Sequence, residues 1–185
     1  MKTKQVIKYI KSDLYRYTEN YSFKSFLIQY LINRGFNYMV WFRLCQHKNP
    51  LVHKLCFIIL NLKRIKYRID ISHKTKIGYG FYLGHAGPLV INPTAVIGNN
   101  VNLSQYVSIG ANEGLSASIG DNVYIGPNVC IIENVRIGNN ATIGAGSVVT
   151  KDIPENATAV GNYAKVLNFN NPGKYIKNRF INNER

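Results

Sequence analysis

From Ile71 to Val149 an aliphatic residue returns every six positions, a period that neither a helix nor a simple strand has. The series runs Ile71, Ile77, Leu83, then Ile91, Ile97, Leu103, Ile109, then Ile119, Ile125, Ile131, Ile137, Ile143 and Val149. Gly often follows it, as in Ile97-Gly98, Ile109-Gly110, Ile125-Gly126 and Ile143-Gly144. A small or branched residue often stands four positions on, as at Thr75, Ala95, Val101, Val107, Val123, Val129, Val135, Ala141 and Ser147. Helices repeat near 3.6 and strands at 2, so a period of six marks the hexapeptide repeat of a parallel β-helix. Each hexapeptide gives one short strand and one turn, and three close a triangular coil. The aliphatic residue points into the prism, and the small one fits where the chain turns. One coil cannot bury its own face, so coils must stack. The thirteen repeats predict a little over four coils.

The period breaks twice, from Leu83 to Ile91 and from Ile109 to Ile119. Insertions in a solenoid become loops, and such loops tend to carry function. The first holds Gly84-His85-Ala86-Gly87-Pro88, and the second Ala111-Asn112-Glu113-Gly114-Leu115-Ser116.

Charge divides the chain differently. Residues 1–68 carry 14 Lys and Arg against Asp13 and Glu19, whereas residues 69–185 carry 9 against 7 acidic residues. The net charge of +14 therefore belongs to the first third. That argues against a basic solenoid gripping nucleic acid and for a basic appendage. Cys45, Cys56 and Cys130 have neither metal-ligand nor disulfide-framework spacing, so no metal is expected and a reducing compartment fits best. Lys2, Lys4 and Lys8 are not followed by the apolar run of a secretion signal. No apolar run reaches the roughly 20 residues that span a bilayer. A cytoplasmic protein is expected.

Residues 1–68 read as a basic α-helical region. Val6, Ile7, Ile10 and Leu14 share one helical face, and Phe23, Phe26, Leu27, Tyr30 and Leu31 another. Gly35 reads as a helix stop, and Asn49-Pro50 as the cap and first position of a last helix. Two uses compete for the region. It can cap the solenoid or another subunit, or it can lie on the anionic inner face of the plasma membrane. The β-helix domain spans residues 69–167. The polar tail 168–185 is expected to be a short helix or disordered.

Within the solenoid His73 and His85 are the only histidines, and His85 alone sits in a loop. Gly84 and Gly87 beside it allow a ligand to come close. A neutral imidazole near pH 7 is the usual general base for a hydroxyl nucleophile. It needs a partner to fix its tautomer. Asp70, 15 residues earlier and so close to one coil away, is the candidate.

The repeat, together with Ile143-Gly144-Ala145-Gly146-Ser147-Val148-Val149 and Ala159-Val160-Gly161-Asn162-Tyr163-Ala164-Lys165, resembles the left-handed β-helix acyltransferases. Asp70-Ile71, Lys76-Ile77-Gly78, Leu83-Gly84-His85-Ala86-Gly87 and Ala95-Val96-Ile97 resemble the serine acetyltransferase branch of that family. The resemblance implies an acetyl-CoA-dependent O-acetyltransferase with His85 as catalytic base and Asp70 as its orienting carboxylate. It implies pantetheine contacts at Gly110-Ala111, Gly126-Pro127 and Gly144-Ala145, with Lys151 and Lys165 meeting the CoA phosphates. It also implies a homotrimer, because the CoA cleft lies between subunits.

Two departures bear on the acceptor. The serine enzymes carry Asp where Gly84 stands, and a second His in the loop corresponding to residues 111–118. Those departures argue against free serine. The Gly84-His85-Ala86-Gly87 loop after a short basic helical start resembles O-acetyltransferases of surface polysaccharides, which implies a sugar or surface-polysaccharide hydroxyl as acceptor, with Asn92, Asn112 and Glu113 as candidate sugar contacts. The alternatives are serine O-acetylation, N-acylation of an amino sugar, and a non-catalytic scaffold.

Overall fold

The computed structural model describes residues 1–182. Four helices open the chain: α1 (Thr3–Thr18), α2 (Phe23–Ile32), α3 (Arg34–Cys45) and α4 (Pro50–Tyr67). Short polar side chains start three of them. Ser22 Oγ accepts from Ser25 N, Asn33 Oδ1 from Phe36 N, and Asn49 Oδ1 from Leu51 N and Val52 N, with Pro50 in the first turn of α4. Gly35 does not stop a helix. It lies in the first turn of α3, where a Cβ would come within 2.6 Å of the Leu83 carbonyl oxygen. No helix among the described residues is long and apolar enough to cross a membrane.

The rest is the expected solenoid. Face 1 stacks β1 (Ile69–Ile71), β4 (Leu89–Ile91), β7 (Ser108–Gly110), β10 (Cys130–Ile132) and β13 (Val148–Val149). Face 2 stacks β2 (Lys76–Ile77), β5 (Val96–Ile97), β8 (Ser118–Ile119) and β11 (Arg136–Ile137). Face 3 stacks β3 (Tyr82–Leu83), β6 (Asn102–Leu103), β9 (Tyr124–Ile125), β12 (Thr142–Ile143), β14 (Thr158–Val160) and, antiparallel, β15 (Lys165–Asn168). The repeat aliphatics are register partners down each face and are buried, as are the corner residues Ala95, Val101, Val107, Val123, Val129 and Ala141. At the edge between faces 2 and 3, Asn100, Asn122, Asn140 and Asn156 all turn the chain with positive φ. Their side chains bond from coil to coil, Asn122 to Asn140 at 3.2 Å and Asn140 to Asn156 at 3.0 Å.

The coil count exceeds the expectation. Face 1 holds five strands, and a fifth coil is completed by Ile153, bridged to Ile137, and by Ala159, paired with Ile143. The six-residue period misses it because Ile153 follows Val149 by four residues and Ala159 is small.

Helices α1 and α3 close the first coil, so part of the basic region is a cap. Asp13 accepts from Arg43 and from Phe81 N, while Arg43 also donates to the Ile77 and Gly78 carbonyls. Tyr38 Oη donates to the Ile71 carbonyl, and Arg16 reaches the Gly80 carbonyl and Asn102. Within the first helical stripe Val6 and Leu14 are buried but Ile7 is exposed. From the second stripe Phe26 and Tyr30 pack on Phe36, while Phe23, Leu27 and Leu31 face outward.

The tail is neither a helix nor disordered over its described part. It runs back along face 3. Asn102 Nδ2 donates to the Tyr175 carbonyl, the Tyr175 ring packs tilted against Tyr124 with ring centroids 5.0 Å apart, and Asn100 bonds Phe180 in both directions. The polar tail finds partners because the outward side chains of face 3 are themselves polar or aromatic. The tail thereby covers part of face 3, whereas Val90 on face 1 and Val96 on face 2 are exposed.

Candidate active site

Face 1 is bordered by two edges. At the edge where the chain arrives from face 3 stand, coil by coil, residues 84–88, 104–106, 126–128, 144–146 and Gly161. At the edge where it leaves for face 2 stand Asn92, residues 110–116, Glu133 and Lys151. Between them the outward side chains form a ladder of register partners: Asp70, Val90, Ser108, Cys130 and Val148.

His85 lies on the arrival edge, exposed, between β3 and β4. Its φ is 47°, a left-handed conformation uncommon for a side-chain-bearing residue. Local geometry explains how the loop holds it there. Leu83 is locked on both backbone groups by Tyr17 Oη, which lies 3.2 Å from its carbonyl oxygen and 3.1 Å from its nitrogen. On the far side Pro88 accepts from Tyr106 N at 2.6 Å. Gly87 sits over Gln105, where a Cβ would lie 3.2 Å from the Gln105 Cβ. The Gln105 side-chain oxygen is buried with no hydrogen-bond partner among the described residues. No sequence signal distinguishes Gln105, because it occupies an ordinary turn position.

Asp70 is exposed at the head of the ladder. Its carboxylate pairs with the Arg64 guanidinium from the last turn of α4. No hydrogen bond joins it to His85 among the described residues. The two nonetheless share one end of face 1. Asp70 is the register partner of Val90, and His85 precedes Val90 by five residues on the corner leading into β4. A groove of about 440 Å³ runs past Asp70 and is lined by Asn61, Arg64, Arg68, Pro88 and Val90 among others. Arg64 is a second residue that sequence reasoning missed, since a cation on a basic helix looks like ordinary solvated charge.

The expected CoA contacts divide between the edges. Gly126-Pro127 and Gly144-Ala145 share the arrival edge with His85. These coils touch closely: a Cβ on Gly126 would lie 2.8 Å from Ala145 N, and one on Gly144 2.6 Å from Val160 Cγ1. Gly110-Ala111 and Lys151 are on the departure edge, the full width of face 1 away. Lys165 opens β15 opposite Val160, at the far end of the solenoid from His85. No single subunit brings all of these positions together. Of the expected sugar contacts, Asn92 forms a turn, its Oδ1 accepting from Thr94 N and Oγ1 at 2.9 and 2.8 Å. Asn112 N donates to Glu133, and Glu113 is exposed in the loop.

Residues 116–151 match the family model described as bacterial transferase hexapeptide (six repeats). The chain is 44% identical over 117 residues to the mitochondrial serine acetyltransferase 3 of Arabidopsis thaliana, covering 61% of this chain and 30% of that one. It spans less than half the length of the curated relatives it matches. Among solved structures it is similar to a serine acetyltransferase of Neisseria gonorrhoeae, with a TM-score of 0.77 and 35% identity over 90% of this chain and 68% of that one. It is also similar to a serine acetyltransferase in complex with CoA, with a TM-score of 0.76 and 27% identity over 89% of this chain and 71% of that one.

Proposed function

Because the chain belongs to the serine acetyltransferase family of left-handed hexapeptide-repeat transferases, we propose that it moves an acetyl group from acetyl-CoA to an acceptor hydroxyl. The observation that carries this is that Asp70 and His85 stand at the same end of face 1, on adjacent coils at the motif spacing of the serine acetyltransferase branch. His85 takes the acceptor proton, and the acceptor oxygen attacks the thioester carbonyl. Collapse of the tetrahedral intermediate breaks the carbon–sulfur bond, and the protonated His85 returns the proton to the CoA thiolate. Asp70 accepts from the other ring nitrogen and stabilises the imidazolium. In this structure Arg64 holds the carboxylate, so turnover requires Asp70 to turn toward His85 or to be shared.

The division of the CoA positions supports a trimer. Packing the departure edge of one copy against the arrival edge of the next would bring Gly110-Ala111 to Gly126-Pro127 and Gly144-Ala145, which one chain holds on opposite edges. The pantetheine arm would then lie along the arrival edge, ending at His85. Lys151 and Lys165 are placed toward the other end, where the phosphates would fall.

The relatives favour serine as the acceptor over the sugar expected from the loop residues, since the proteins the chain matches are named serine acetyltransferases. One observation keeps a sugar hydroxyl as a second reading. The loop 111–118 offers Asn112, Glu113 and Ser116 but no Lys, Arg or His to meet an amino acid carboxylate. The deciding experiment follows thiol release from acetyl-CoA with L-serine, nucleotide sugars and capsular oligosaccharides as acceptors. Turnover with serine alone supports the first reading, and turnover with a sugar alone the second. No CoA binding and no thiol release with any acceptor would refute the transferase.

A further inference from the structure

Helices α2 and α4 leave apolar rows without a partner. On α4 the exposed Leu51, Leu55, Ile58, Leu62 and Ile65 are spaced four, three, four and three residues apart, so they form one straight row along the helix. Leu51 is 79% exposed and Ile65 78%. The buried residues of α4, Cys56 and Leu60, are on the opposite side. Lys54 and Lys66 stand immediately beside the row, one on each flank. Helix α2 buries none of its 10 residues, and Phe23, Leu31 and Ile32 are largely exposed. A helix that short gains little stability in water without a surface to cover.

Charge decides what covers these rows. From Asn20 to Ile69 the chain holds nine Lys and Arg and no Asp or Glu. A symmetric contact with a second copy would set Lys54 and Lys66 against the same residues, with no carboxylate in either helix to separate them. An anionic lipid surface has no such conflict. The row enters the headgroup–acyl boundary, and the lysine stems snorkel beside it to reach lipid phosphates. We propose that the exposed face of α4, together with α2, docks the protein on an anionic lipid bilayer. In a trimer three such faces act together, which raises the affinity above that of one helix.

Docking also bears on the active site, a consequence that rests on the transferase reading. Arg64 and Ile65 line the groove beside Asp70, so the acceptor end of face 1 is held near the lipid surface. Under the sugar reading the acceptor hydroxyl is then one carried on a membrane-borne molecule, and under the serine reading docking leaves the acceptor soluble.

The test sediments the full chain with vesicles of phosphatidylcholine, alone or mixed with phosphatidylglycerol. Binding is expected only to the mixed vesicles and is expected to fall as salt rises. Lys54→Ala with Lys66→Ala should weaken it by on the order of tenfold, and Leu55→Ser with Leu62→Ser should abolish it while the circular dichroism is unchanged. Equal binding to both vesicles, or binding untouched by either pair, overturns the proposal. A smaller assembly for Leu55→Ser with Leu62→Ser in lipid-free solution also overturns it, by assigning the row to a contact between copies. Thiol release with a soluble acceptor is read in parallel. CoA binding is read beside it, and the loss of both in the wild type with vesicle binding intact counts against the transferase reading alone.

Discussion

Arg43 and Asp13 meet where the helices join the solenoid, Nε to Oδ2 at 2.9 Å, with neither side chain reaching solvent. Burial pushes the Asp13 pKa up, and the Arg43 guanidinium opposes that shift. The pair ties α1 and α3 to backbone groups of residues 77–81, a few residues before the His85 loop. Removing one partner leaves the other charge buried and alone. Asp13→Ala or Arg43→Met should each cost about 3–5 kcal/mol, and the double variant less than the sum. Urea unfolding of the two singles and the double checks this, and additive losses would mean that the two charges are not coupled.

Gly35 tests whether the helical cap shapes the catalytic loop. In a free helix Gly→Ala gains up to about 1 kcal/mol. Here the new Cβ would lie 2.6 Å from the Leu83 carbonyl oxygen and 2.8 Å from the Leu83 Cβ. Backbone cannot yield cheaply, so Gly35→Ala should destabilise by about 1–3 kcal/mol and displace Leu83, which leads into Gly84-His85. A lower melting temperature together with reduced thiol release is expected. An unchanged melting temperature would show that α3 does not clamp β3.

His85 and Asp70 act differently if one touches the acceptor and the other works through it. His85→Ala should lower kcat by about 10²–10⁴ while CoA still binds. Asp70→Asn should lower kcat less and leave the KM for acetyl-CoA alone, since Asp70 sits away from the CoA edge. Steady-state kinetics with calorimetric CoA binding separates the two. Full turnover in His85→Ala would remove it as the base.

The six-residue period made the prism legible because every coil must bury one aliphatic residue per face, and sequence records that directly. It failed at Ile153 and Ala159, where a shortened turn and a small residue close the last coil without the repeat spacing. The insertion loop with His85 was legible as a break in the period. The Arg64 partner of Asp70 was not, because an ion pair between a helix end and the first strand depends on how the helix docks. Tyr175 on Tyr124 and Gln105 beneath Gly87 were hidden for the same reason. A polar tail reads as disordered until the face it covers is known.

His73 supplies a pH test of the junction between α4 and the first coil. Its ring packs against Phe57 at 5.1 Å and His53 at 5.3 Å. Burial lowers its pKa from 6.5, and the charges of His53, Lys74 and Arg64 add to the effect. The folded state therefore resists the proton that the unfolded chain accepts. Stability from the neutral ring is complete above 6.5 and is lost as the pH falls from there to the lowered folded value. Melting temperatures taken from about pH 8 down to about pH 5 should drop for the wild type, and His73→Gln should flatten part of that drop. Parallel curves for the two proteins would assign the acid sensitivity to other groups.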